Sequence, residues 1–62
     1  MNAMQYFYVT PVYTDGTVGR EQYVGEVLNR EHALNILRPM MENRPRNIIH
    51  NYRCRLSLKK DD

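Results

Sequence analysis

The side chains best equipped for chemistry in this chain are His32, His50 and Cys54. Together they could ligate a metal, or pair a thiol nucleophile with an imidazole base. Their placement argues against both. A structural zinc site takes four nitrogen or sulfur ligands, usually in closely spaced pairs, and these three residues form no such pair. A cysteine nucleophile needs a base within hydrogen-bond reach and a third group to orient that base, and no such constellation is legible. The glycines offer no phosphate cradle, because Gly16 and Gly19 match neither glycine-rich nucleotide pattern. Asp15 is accounted for by a turn. The sequence therefore predicts no catalytic residue, no cofactor, no metal and no small-molecule substrate.

The second available chemistry is charge. Net charge is +2, but it is unevenly spread. Residues 1–43 carry three arginines against five acids, while residues 44–60 carry Arg44, Arg46, Arg53, Arg55, Lys59 and Lys60 with no acid. Asp61 and Asp62 close the chain. A local cationic field steers partners even when the net charge is small.

The elements that must position these groups can be read from periodicity. Residues 4–13, MQYFYVTPVY, are aromatic and β-branched and read as a strand. Asp15-Gly16 follows, a strong signal for a tight hairpin with positive φ at both central residues. The return strand spans roughly 18–27. Pro11 lacks an amide hydrogen and is expected at an edge or a bulge. A two-residue loop sets Tyr8 opposite Tyr23 and Tyr6 opposite Gly25. It gathers Met4, Tyr6, Tyr8, Val12, Tyr23 and Val27 on one face, and Phe7, Val9, Tyr13, Val18 and Val24 on the other. Tyrosine tolerates a half-wet surface, so the tyrosine face is assigned outward.

Asn29 is an N-cap for a helix over about 30–42. Ala33, Leu34, Ile36, Leu37, Met40 and Met41 share one broad arc of it, with Glu31, Asn35, Arg38 and Glu42 opposite. His32 lies at the edge of the apolar arc. Pro39 falls on the polar side and predicts a kink rather than a stop, and Pro45 ends any continuation. The segment 47–58 then alternates as a half-buried strand. Ile48, His50, Tyr52, Cys54, Leu56 and Leu58 are expected inward, with His50 and Cys54 packed. Ile49, Asn51, Arg53, Arg55, Ser57 and Lys59 are expected outward, and residues 59–62 form a frayed tail.

The resulting fold class is α+β: one small β-β-α-β domain, a three-stranded mainly antiparallel sheet with one helix packed on one face. Its 62 residues bury a small core. No intrachain disulfide is possible with one cysteine, so self-association is the expected supplement. No apolar run is long enough to span a membrane and no leader pattern opens the chain, which predicts a cytoplasmic protein.

These features favour a non-enzymatic interaction or accessory protein. It would act as a homodimer or on a protein target, through the open sheet face bearing Tyr6, Tyr8, Tyr23, Arg53 and Arg55. The alternative is nucleic-acid binding, with bases stacking on the tyrosines. Arg44, Arg46, Arg53, Arg55 and Lys59 would then contact phosphates. Cationic side chains on an edge strand have a simpler role as well, since they discourage edge-to-edge aggregation.

Overall fold

The computed structural model describes residues 4–60. Along the chain these form β1 (Gln5–Tyr13), β2 (Gln22–Val27), α1 (Arg30–Asn43) and β3 (Ile49–Ser57). The sheet order is β2-β1-β3, and both neighbours run antiparallel to β1. The fold is thus the small open-sheet α+β arrangement expected from periodicity. The frayed tail expected over 59–62 lies partly outside the described residues. Lys59 is tied back by its own backbone, because its N–H donates to Ser57 Oγ (3.1 Å) and its carbonyl accepts from the same hydroxyl (2.6 Å).

The hairpin is less regular than a two-residue loop would make it. Gly16 N–H donates to the Tyr13 carbonyl (3.0 Å) and Tyr13 N–H to the Thr17 carbonyl (2.8 Å), so the loop holds three residues. Gly16 has φ +90°, and no non-glycine residue among those described has positive φ. This is a turn closed by a left-handed glycine, which supplies that geometry without a Cβ clash. Asp15 contributes through its side chain instead. Its Oδ1 accepts from the Thr17 amide (2.9 Å) and hydroxyl (2.6 Å). These bonds, the hydroxyl's first, hold the Asp15 carboxyl below the usual carboxylate range. A depressed folded-state pKa adds stability above the unfolded-state value, and that stability disappears as pH falls through the folded one. Asp15→Asn is therefore expected to flatten the acid limb of the stability curve, as measured by denaturant midpoints across acidic pH.

Two irregularities then reset the register. Tyr8 does face Tyr23, and Val9 faces Gln22, but a bulge at Val24 sets Phe7 opposite Gly25 and Tyr6 opposite Glu26. The extra residue reverses the phase of β2 beyond it. Val27, grouped with the tyrosines by the simple register, instead lies in the core with no exposed surface. A second bulge, at His50, places Ile49 rather than His50 opposite Tyr13. Ile49 is accordingly half-buried while His50 and Ile48 are exposed, which corrects the inward assignment of the latter two.

Pro11 also departs from expectation, because it lies in the central strand, opposite Tyr52. Its carbonyl accepts from Gly19 N–H (2.8 Å) on the β2 side. A strand residue's nitrogen points to the same side as its carbonyl, so the missing donor faces the stretch where β2 has not yet begun. No bond to β3 is lost. Gly19 is packed so tightly here that a Cβ would sit 2.8 Å from Pro11 Cγ and from the Tyr13 hydroxyl. Gly19→Ala is expected to cost about 1–3 kcal/mol through overpacking. Gly25 has open space around it and no positive φ. Gly25→Ala should be neutral or stabilise by about 0.4–1 kcal/mol by restricting the unfolded chain. Denaturation midpoints of the two variants check this contrast.

Asn29 caps α1, its Oδ1 accepting from His32 N–H (2.9 Å). His32 returns the favour with Nδ1, which accepts from Leu28 N–H (3.0 Å). One amide left free in the first turn, that of His32, is thus satisfied, and so is the Leu28 amide just before the cap. The helix continues through Pro39, as the unbroken apolar phase of Met40 and Met41 required. It ends at Arg44, whose extended backbone is what a following proline imposes.

Phe7, Val9, Val27 and Ala33 form the buried centre, with Val24, Ile36, Leu37, Met40, Tyr52 and Leu56 packed around it. The core therefore lies between α1 and the Phe7–Val9 side of the sheet. One helix, about 10 Å across, cannot cover three strands to their edges. Cys54, expected to point into the core, is exposed on edge strand β3 for this reason, and Leu58, expected inward as well, is exposed just beyond the strand's end.

Candidate functional site

Side chains alternate along a strand, so with Phe7 and Val9 facing the helix, Tyr6 and Tyr8 face away from it. Paired residues share a face, which places Tyr23, Arg53, Arg55 and Ser57 on the same outer surface. The structure thus brings Tyr6, Tyr8, Tyr23, Arg53 and Arg55 together. Tyr23 is the hub. Its ring lies 5.4 Å from that of Tyr8 and 6.4 Å from that of Tyr6, tilted against both. Tilted pairs at these separations are favourable aromatic contacts.

Arg55 reaches across the central strand. Its guanidinium carbon sits 4.3 Å from the Tyr8 ring centroid. Nε and Nη2 donate to Glu21 Oε2 (2.9 Å) and Oε1 (2.7 Å), a two-pronged pair. Tyr8, beneath this strap and beside Tyr23, is only 5% exposed despite lying on the helix-free face. The Arg55 and Glu21 side chains are themselves about two-fifths exposed, so their ion pair is worth about 0.2–1 kcal/mol. Its larger consequence is electrostatic, since Glu21 neutralises the middle of the supposed cationic row. At the rim, the Lys60 ammonium lies 4.8 Å from the Tyr23 ring centroid. Sequence periodicity placed the tyrosines but could not show Glu21, which lies in the irregular stretch before β2 and pairs 34 positions away.

The remaining basic residues are dispersed. Arg44 is half-buried, donating from Nη1 to the Met41 carbonyl (2.7 Å) and from Nε to the Ile49 carbonyl (3.1 Å). Arg46 lies in the turn before β3, and Lys59 beyond its end; both are exposed. On the opposite side of the sheet, an apolar cleft of about 350 Å³ opens between α1 and β3, lined by Phe7, Arg30, Ala33, Leu34, Cys54 and Leu56. Cys54 is exposed, but partial desolvation of its thiol raises the pKa from its usual value, which disfavours the reactive thiolate. Among the described residues no cluster of three or more His, Cys, Asp or Glu side chains could hold a metal ion, and no helix is long and apolar enough to cross a membrane.

Fold and surface together define a small β-β-α-β protein with one sheet face uncovered by its helix and furnished with tyrosine and arginine. Comparison with protein-family models, curated proteins and solved structures finds no match for this chain.

Proposed function

We propose that this is a non-enzymatic interaction protein that uses its uncovered sheet face, with a second copy of the chain as the occupant that face suits best. The observation carrying the reading is the Tyr6–Tyr23–Tyr8 cluster strapped by Arg55 and Glu21. A two-fold interface must be compatible with itself. A bare row of arginines would repel its own copy, whereas the Arg55–Glu21 pair leaves the centre of this face aromatic and near neutral. Tyrosine and arginine are also enriched at protein interfaces. The molecule is a slab, with Cα extents of 42 × 24 × 12 Å. One broad face can supply the ~800 Å² per partner typical of stable complexes.

The same features disfavour nucleic acid. Tyr8 is too enclosed to stack on a base, Glu21 stands where a phosphate would bind, and Arg44 is engaged with backbone carbonyls. A cytoplasmic setting is part of this proposal, supported by the lone cysteine.

Sedimentation analysis from micromolar to millimolar concentration tests the proposal. The mass is expected to rise from 7.4 kDa towards twice that value. Tyr23→Glu, at an exposed position, should weaken association at least about tenfold, as loss of an interface anchor does. A chain that stays monomeric throughout would overturn the self-association reading. A salt-sensitive mass increase with added single-stranded nucleic acid would instead favour phosphate binding.

A further inference from the structure

We infer that the free edge of β3 accepts an extended acidic peptide as a fourth strand. This rests on the interaction reading and shares Arg53 with the tyrosine face, but its backbone contacts lie along the free edge of β3. β1 occupies one side of β3, and no strand lies on the other side among the described residues. The Pro11 carbonyl points towards β2, so alternation turns the backbone groups of Tyr6, Tyr8, Thr10 and Val12 towards β3. Their partners there are Ser57, Arg55, Arg53 and Asn51. The intervening residues, Tyr52, Cys54 and Leu56, must direct their N–H and C=O groups outward. Three consecutive outward-facing residues on a regular strand make a template for strand addition.

The two sides of this edge specify the guest. Guest residues opposite Tyr52, Cys54 and Leu56 would turn their side chains to the helix side. There the cleft lined by Leu34, Cys54 and Leu56 is open and apolar, with room for an aliphatic side chain. Guest residues opposite Arg53 would point to the outer face, where Arg53 is exposed and makes no ion pair among the described residues. The outer side of the edge thus carries a cation and the helix side an apolar cleft, and an alternating acidic and apolar strand meets both requirements. A second copy of β3 does not fit, because an antiparallel register overlapping the whole of Ile49–Ser57 centres on Arg53 and sets it opposite its own copy. Like charges directly opposite destabilise strand pairs.

The test uses the full chain and a blocked heptapeptide of alternating glutamate and valine, with a lysine–valine heptapeptide as its counterpart. Amide hydrogen exchange is followed residue by residue by NMR. The amides of Tyr52, Cys54 and Leu56 are expected to slow when the glutamate peptide is added. The lysine peptide should bind about two- to fivefold more weakly, the scale of one exposed charge pair. Arg53→Glu should narrow or reverse that preference, and Leu34→Asp should weaken binding without unfolding, since Leu34 is 44% exposed. Unchanged exchange at the three amides under millimolar peptide would overturn the inference. So would equal binding of the two peptides, or chemical-shift changes confined to Tyr6 and Tyr23. Because the readout is local to β3, a chain found monomeric by sedimentation would fail the tyrosine-face reading and leave this result intact.

Discussion

Phe7→Ala is expected to leave most of the chain unfolded at 25 °C. Phe7 is 1% exposed and sits on the central strand, where it joins Val9, Val27 and Ala33 in the buried centre. Truncating a buried phenylalanine costs about 3–5 kcal/mol, combining lost transfer energy with an unfilled cavity. A single hydrophobic core in a chain this short supplies roughly 3–5 kcal/mol at most. The substitution therefore removes most or all of the margin. Ile48→Ala offers the contrast. Ile48 is 51% exposed, and a surface change of this kind stays within about 0.5 kcal/mol. Circular dichroism with urea titration separates the two outcomes: no cooperative transition for Phe7→Ala, and a near-native midpoint for Ile48→Ala. Equal loss in both would mean that the bulge at His50 is wrongly placed and that Ile48 belongs to the core.

The same pair of residues shows where sequence reasoning reaches its limit. Phe7 and Val9 could be placed on one face from alternation alone, because β1 runs without interruption through its aromatic stretch. The helix was equally legible, since Asn29, the apolar arc and Pro45 agree on its position and limits. Ile48 could not be placed. A bulge adds one residue without a compositional mark, and every side chain beyond it changes face. The bulge at Val24 acts in the same way, which is why Val27 enters the core although strict pairing sends it out with the tyrosines. The sheet order was a further obstacle. Putting β1 in the centre and β3 at an edge is what exposes Cys54 and opens the cleft, and no local pattern encodes that choice. The candidate face was legible as a set of tyrosines and arginines. Its near-neutral centre was not, because the Glu21–Arg55 pair depends on tertiary structure.

Arg44→Ala is expected to lower stability by about 1.5–3 kcal/mol, the usual worth of hydrogen bonds made by a charged group in a partly buried setting. One guanidinium serves two elements here. Nη1 takes the Met41 carbonyl in the last turn of α1, where no intrahelical donor is available. Nε takes the Ile49 carbonyl at the start of β3. Between them the Pro45 carbonyl accepts from the amides of Ile48 and Ile49, and Thr14 N–H donates to the Ile48 carbonyl. Removing the guanidinium frees the end of the helix from the strand that must follow it. For a domain of this size the loss corresponds to a fall in Tm of about 10 °C or more. Arg44→Lys should recover only part of it, because an ammonium lacks the planar fork that reaches both carbonyls. Arg46→Ala, two residues away and exposed, should leave Tm nearly unchanged. Differential scanning fluorimetry of the three variants decides the matter. A Tm for Arg44→Ala that matches Arg46→Ala would show that Arg44 is spare positive charge, available to a phosphate. The expected gap between them removes Arg44 from the cationic surface and leaves Arg53, between the tyrosine face and the open β3 edge, as the arginine on which partner charge is read.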